Sequence, residues 1–249
     1  MSQPQVISKD SIHRLVRDIK LINKSPLHDQ GIFYSHDDEN ILKGYAMIIG
    51  PSETPYENGM YFFELDFPCD YPHCPPKLTY LTNDGVTRFN PNLYRGAGKV
   101  CLSILNTWRG EQWTSCQSIS TILLTLISIF NNNPLLNEPG VGVNHNDVQN
   151  YNKIISFKNL EISILSFIKR LNENKLLATE KRFTDICKKH IISNHKNMLT
   201  NAKNIRNNID EENVSTGLYS MKFTLDYNNL YTKIKNINIF NFCIQVIII

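Results

Sequence analysis

A cysteine and a carboxamide bracket the run Asn92-Leu-Tyr-Arg-Gly-Ala-Gly-Lys-Val-Cys101-Leu, which follows Asn90-Pro91. The Asn-Pro-Asn turn and the glycines at 96 and 98 describe a tight loop, and the cysteine closes it. A thiol held by backbone at a loop end, with an amide side chain close by in sequence, suits the carriage of an acyl group. The competing reading is a half-buried structural cysteine, because free cysteine is among the most buried residue types. A free thiol has a pKa of roughly 8.5, so little of it is thiolate at neutral pH. A cysteine hydrolase would need a His partner as base, and no His or Asp lies close to Cys101 in sequence. That absence fits a carrier. Exchange of a thioester between thiols is nearly balanced in energy and needs access and orientation more than activation. When an amine attacks the thioester carbonyl an oxyanion develops. A neutral donor such as Asn92 can stabilise that charge or rigidify the loop that positions it.

The elements that must hold this loop are legible on both sides. Residues 9–22 place Ile12, Leu15, Val16, Ile19 and Ile22 at helical spacing, with Ser8 or Asp10 as cap. Arg14, Arg17 and Lys20 fall on the opposite, wet face. Four short strands are expected near 31–36, 41–49, 60–67 and 77–80, as an antiparallel meander. Between the last two, Pro68, Pro72, Pro75 and Pro76 forbid a helix or a central strand. After the cysteine loop come the only tryptophans, Trp108 and Trp113, and then an apolar helix over 118–130 capped by Ser115 or Ser118. Further helices are expected from 144 to about 153, over 158–175 and over 177–193. Leu160, Ile164, Phe167, Ile168 and Leu171 form one stripe that reads as core.

Gly50-Pro51, Pro55-Tyr56, Gly59, Phe67-Pro68, Tyr71-Pro72, Pro75-Pro76-Lys77, Asn90-Pro91-Asn92, Val100-Cys101-Leu102, Trp113 and Asn133-Pro134 follow one another in a telling order. In that order they resemble the core of the ubiquitin-conjugating (E2) enzymes, over roughly residues 10–155. Phe89-Asn-Pro-Asn92, Leu102-Ser-Ile-Leu105, Thr107-Trp-Arg-Gly and Asn137-Glu-Pro-Gly140 look most like the large class-Z branch, which also has a long C-terminal extension. The resemblance implies an α+β, UBC-like fold: an N-terminal helix, a four-stranded antiparallel meander and C-terminal helices. The core domain is then 8–157, and 158–249 is a helical extension.

It also implies roles. Cys101 would carry ubiquitin, or a ubiquitin-like modifier, as a thioester, and Asn92 would act as oxyanion donor or loop brace. Arg14, Arg17 and Lys20 would meet the activating enzyme, and His73, Trp113 and Ser115 the ubiquitin ligases. Protein substrates would supply the lysine. No metal or small cofactor is implied, since ATP is consumed by the upstream enzyme. Asn137 or Glu138 would fill the gate that orients the attacking lysine. The chain departs from the family in several places. Asn90 stands where His is usual, the loop from Asn92 to Cys101 is one residue longer through Arg95-Gly-Ala-Gly98, His73 stands where a bulky residue is usual between Pro72 and Pro75-Pro76, and Thr114-Ser115-Cys116 replaces Ser-Pro-Ala. A non-catalytic ubiquitin-binding variant of the same fold is the alternative, though such variants generally lack the cysteine.

The 249 residues, 41% hydrophobic, suffice for one domain and an appendage. Residues 1–150 hold 11 Lys and Arg against 15 Asp and Glu, a net of −4, and the remainder holds 15 against 8, a net of +7. The basic tail reads as a solvated helical surface, because no zinc finger or RNA-recognition motif points to nucleic acid. Six cysteines without paired C-x-x-C spacing argue against structural zinc, and the prolines around Cys69, His73 and Cys74 make a shared metal sphere awkward. The polar start lacks a signal peptide, so a reducing cytoplasmic or nuclear setting is expected. Beyond residue 200, ten asparagines suggest a loosely ordered tail. The apolar end, 237–249, is too short for a bilayer span of about 20 residues.

Overall fold

The computed structural model describes residues 6–239 and 242. Helix α1 (Lys9–Lys24) begins at Ser8, whose side chain accepts from the Ser11 amide at 3.0 Å, and buries Leu15 and Ile22. Strands β1 (Ile32–His36), β2 (Lys43–Ile49), β3 (Met60–Asp66) and β4 (Lys77–Tyr80) form an antiparallel sheet in the order β1-β2-β3-β4. The expected meander is thus the observed one. Helix α2 (Ile119–Ser128) starts in a capping box between Ser118 and Thr121.

Register decides what the sheet carries. Along β3, Tyr61 and Phe63 turn to the core ring cluster, with centroids 4.8 and 6.5 Å from Phe130. Phe62, pointing the other way, lies 5.9 Å from Phe167 and 6.4 Å from Phe183. Met47, paired with Phe62 in register, meets the Cys187 thiol at 3.3 Å. Both faces of the sheet are therefore covered. Met60 to Phe63 are all buried, so β3 is a continuous apolar run in place of the alternation of a one-sided antiparallel strand.

The second cover is the extension. Helix α3 (Val148–Lys158) passes through a π-helical stretch (Asn159–Leu165) into α4 (Ser166–Asn172). The two helices expected at 144–153 and 158–175 are one run, and residue 158 lies inside it. Its apolar stripe is core: Leu160, Ile164, Phe167 and Ile168 are buried. Helices α5 (Ala178–Arg182) and α6 (Thr184–Arg206) then cross the outer sheet face. Thr179 donates to Glu64 at 3.0 Å, and Arg182 pairs with Asp37 at 2.7 Å.

The tail is more ordered than its composition suggests. Strands β5 (Glu211–Ser215) and β6 (Lys222–Asp226) form a hairpin, followed by α7 (Tyr227–Lys235). Val214, Leu225, Leu230 and Ile234 are buried. The asparagines serve as punctuation: Asn207 ends α6 in the left-handed region and Asn208 follows it there, conformations that Asn tolerates better than most residues. Most of the apolar end lies outside the described residues. No helix among the described residues is long and apolar enough to cross a membrane.

Candidate active site

The cysteine loop is a miniature hairpin. Leu93 bridges Val100, the Tyr94 amide donates to Lys99 at 2.9 Å, and the Cys101 amide donates to the Asn92 carbonyl at 2.9 Å. Asn92 and Cys101 therefore sit opposite each other at the neck. Gly96 and Gly98 turn the far end of the loop with φ of +78° and +68°. The Gly98 carbonyl accepts from the Tyr80 amide at 2.7 Å, tying the loop to the end of β4.

The Asn92 side chain is turned inward. Its amide donates to the Cys101 carbonyl at 2.7 Å, and the residue is only 4% exposed. Cys101 itself is 2% exposed, more enclosed than a thiol offered at a loop end was expected to be. It is nevertheless outside the contiguous apolar core, which includes its neighbours Val100 and Leu102 and the distant Cys187. On the far side, the Thr107 hydroxyl accepts from the Leu102 amide at 3.0 Å and so fixes the residue after the cysteine.

Asn90 is the keystone of the turn. Fully buried, it donates to the Tyr56 hydroxyl at 2.9 Å and to the Ile129 carbonyl at 2.8 Å. Its oxygen accepts from the Asn92 backbone N–H at 3.0 Å and from the Asn137 side chain at 3.3 Å. Asn thus does the structural work expected at this position. The two gate candidates separate here. Asn137 faces the turn, whereas Glu138 accepts from the Tyr219 hydroxyl of the extension.

The histidines whose ring partners are seen are bound elsewhere. His36 bonds Tyr34 and the Ile41 carbonyl, His145 accepts from the Asp147 backbone amide, His190 bonds the Asn58 carbonyl, and His195 the Ile234 carbonyl. None of these serves Cys101 as a base. No group of three His, Cys, Asp or Glu placed to hold a metal ion occurs among the described residues.

The residues expected to meet partners gather around α1. Arg17, Lys20, His73 and Ser115 are exposed. Trp113 is buried, donating from Nε1 to the Pro72 carbonyl at 2.7 Å. Arg14 is committed internally: it pairs with buried Asp18 at 3.0 Å and donates to the carbonyls of Ser115 and Gln117. Asp18 also accepts from the Tyr71 hydroxyl at 2.6 Å. Arg14 thus fastens α1 to the loop after Trp113, and Arg17 and Lys20 are left facing solvent. Its helical position could not reveal carbonyl partners a hundred residues away. Tyr56, Thr107 and Tyr219, which brace the site, carried no sequence signal as site residues beyond Tyr56 following Pro55 and Thr107 opening the Trp108 insert.

A meander sheet behind α1, an Asn-Pro-Asn turn on a buried amide and a cysteine at a hairpin neck define a class. The sequence model described as ubiquitin-conjugating enzyme matches residues 14–159, and the chain belongs to that family. Its fold is the α+β, UBC-like one. Within the family it falls in the class-Z branch. It is 34% identical over 228 residues to ubiquitin-conjugating enzyme E2 Z of Danio rerio, covering 86% of this chain and 69% of that protein. The match to the Homo sapiens E2 Z is 42% over 154 residues, covering 61% of this chain. The chain spans only 43% of the human protein's length. The solved human ubiquitin-conjugating enzyme E2 G1 is 31% identical, covering 51% of this chain and 98% of its own, with a TM-score of 0.43.

Proposed function

We propose that the chain takes ubiquitin, or a related modifier, onto Cys101 as a thioester and passes it to a substrate lysine or a ligase thiol. The observation that carries this reading is the neck of the hairpin. There the family's cysteine and asparagine are paired across one backbone hydrogen bond, with the sulfur residue outside the apolar core. In loading, the Cys101 sulfur attacks the modifier's thioester carbonyl at the activating enzyme. A new C–S bond forms, the old one breaks, and the departing thiolate takes the proton. In transfer, an amine nitrogen attacks that carbonyl, C–S breaks as C–N forms, and the amine proton leaves with the thiol or to water. The Asn92 side-chain amide supplies a donor for the developing oxyanion after a rotation away from the Cys101 carbonyl. Asn137, held on Asn90, fills the gate in preference to Glu138.

Partners follow from the same reading: an activating enzyme at Arg17 and Lys20, ligases at His73 and Ser115 beside Trp113, and protein substrates. A thioester carrier needs its thiol kept reduced, which favours work in the cytoplasm or nucleus. The in-frame cysteine favours this reading over a non-catalytic ubiquitin-binding variant.

The test is a loading reaction with activating enzyme, ATP and ubiquitin, resolved on a non-reducing gel beside Cys101→Ser. A thiol-sensitive adduct on the native chain, replaced by a thiol-resistant ester or by nothing on the variant, supports the carrier role. No adduct with any ubiquitin or related modifier would favour the binding variant.

A further inference from the structure

The turn between β5 and β6 holds Tyr219 at φ +61° and Ser220 at +49°, a region costly for both side chains. The surroundings over-determine it. The Asp147 carboxylate accepts from the Gly217 and Leu218 amides at 3.1 and 2.7 Å. The Thr216 amide donates to Met221 at 2.9 Å, and its hydroxyl to Leu218 at 2.7 Å. This backbone aims the Tyr219 ring out of its own hairpin and at the catalytic core.

Two opposite charges meet it there. The ring lies 5.1 Å from the Arg88 guanidinium, and the hydroxyl donates to Glu138. Arg88 is only 7% exposed, and its Nε has no hydrogen-bond partner among the described residues. The same guanidinium lies 3.5 Å from the ring of Tyr94, inside the cysteine loop, and donates to the Pro91 carbonyl at 2.7 Å. Met221 adds a contact of its own, its sulfur accepting from the Arg88 amide at 3.4 Å. One side chain of the extension thus touches both residues that flank the site: Arg88, two before Asn90, and Glu138, one after Asn137.

We infer that Tyr219 is a positioning residue of the active site, clasping Arg88 and Glu138 so that the cysteine loop and the gate keep their mutual arrangement. The kinetic half of this inference rests on the conjugating reading; the structural half does not. Exposed ion pairs rarely fix geometry, whereas a cation against an aromatic face in a desolvated site is worth more.

The test uses the full chain with Tyr219→Phe, which keeps the ring, and Tyr219→Leu, which keeps only apolar bulk. Alkylation by iodoacetamide is followed at each cysteine by peptide mapping. Cys101 of the Leu variant is expected to react about fivefold faster than in the native chain, with Phe between them. Cys187, deep in the core, is expected to keep its slow rate throughout. Equal Cys101 rates in all three proteins overturn the inference, and so does a parallel rise at Cys187, which marks general loosening. With loaded protein, single-turnover discharge to free lysine should lose maximal rate in the Leu variant while half-saturating lysine stays put, and Phe should restore much of it. A native chain that never loads overturns the conjugating reading alone, and the alkylation series then decides the clasp by itself.

Discussion

The Asn92 side-chain amide and the Cys101 carbonyl are joined by a 2.7 Å hydrogen bond across the neck of a one-bridge hairpin. The Asn92 side-chain amide is therefore engaged in the resting protein, and it must let go to meet an oxyanion. Asn92→Ala should slow discharge to lysine by about a hundredfold, the usual scale for one lost oxyanion donor. Loading from the activating enzyme should be slowed far less. Single-turnover assays of both steps check this, and equal slowing would mean that the amide only braces the loop.

Cys101 and Cys187 are both buried, yet only Cys187 belongs to the contiguous apolar core. Burial drives the Cys187 thiol pKa well above its usual range. Cys187→Ala should cost about 1–2 kcal/mol through the gap left against Met47. Cys101→Ala should cost no more than about 1 kcal/mol and leave the chain folded while abolishing conjugation. Urea midpoints of the two variants give the comparison, and an unfolded Cys101→Ala would restore the structural-cysteine reading.

The two loop glycines differ in their surroundings. A Cβ at Gly98 would stand 2.2 Å from the Tyr80 carbonyl oxygen, whereas one at Gly96 meets nothing within 4 Å. Gly96→Ala should cost about 1 kcal/mol, the backbone penalty alone. Gly98→Ala should cost about 2 kcal/mol more and slow discharge as well, since the clash falls where the loop is tied to β4. Indistinguishable denaturation curves for the two would contradict the described loop.

His190 joins the extension to the core. Its Nε2 donates to the Asn58 carbonyl at 3.0 Å, and its Nδ1 accepts from the Asn194 amide at 3.1 Å. This pattern fits the neutral ring, and burial lowers the pKa below its ordinary 6.5. The folded state therefore binds its proton less readily than the unfolded one. The stability this confers is complete above pH 6.5 and is lost as pH falls through the lower folded value. His36, also lowered mainly by burial, acts in the same sense. Thermal melts should show Tm dropping on the acid side of 6.5, and His190→Gln should flatten that slope.

The order of elements through α2 and the identity of the cysteine loop were legible because each rests on local rules: spacing, caps, prolines and glycines. What was hidden rests on distant partners. Met60 to Phe63 announced a strand, but their unbroken burial makes sense only with a second cover supplied by Phe167 and Phe183. The β5–β6 hairpin was obscured by asparagines that read as disorder when counted and as helix stops when placed. That Glu138 faces the extension rests on Tyr219, eighty-one residues beyond it.

The doubly covered sheet has a consequence for the chain's birth on the ribosome. Its four strands are complete at Tyr80, but α6 begins only at Thr184. At about 5–20 residues per second, roughly 5–20 s of synthesis separate the two events. For most of that interval Phe62 waits for Phe167 and Phe183, and Met47 for Cys187, so the nascent chain presents an oily sheet face well before its lid is complete. Chaperone occupancy should peak in that window and fall as α6 emerges.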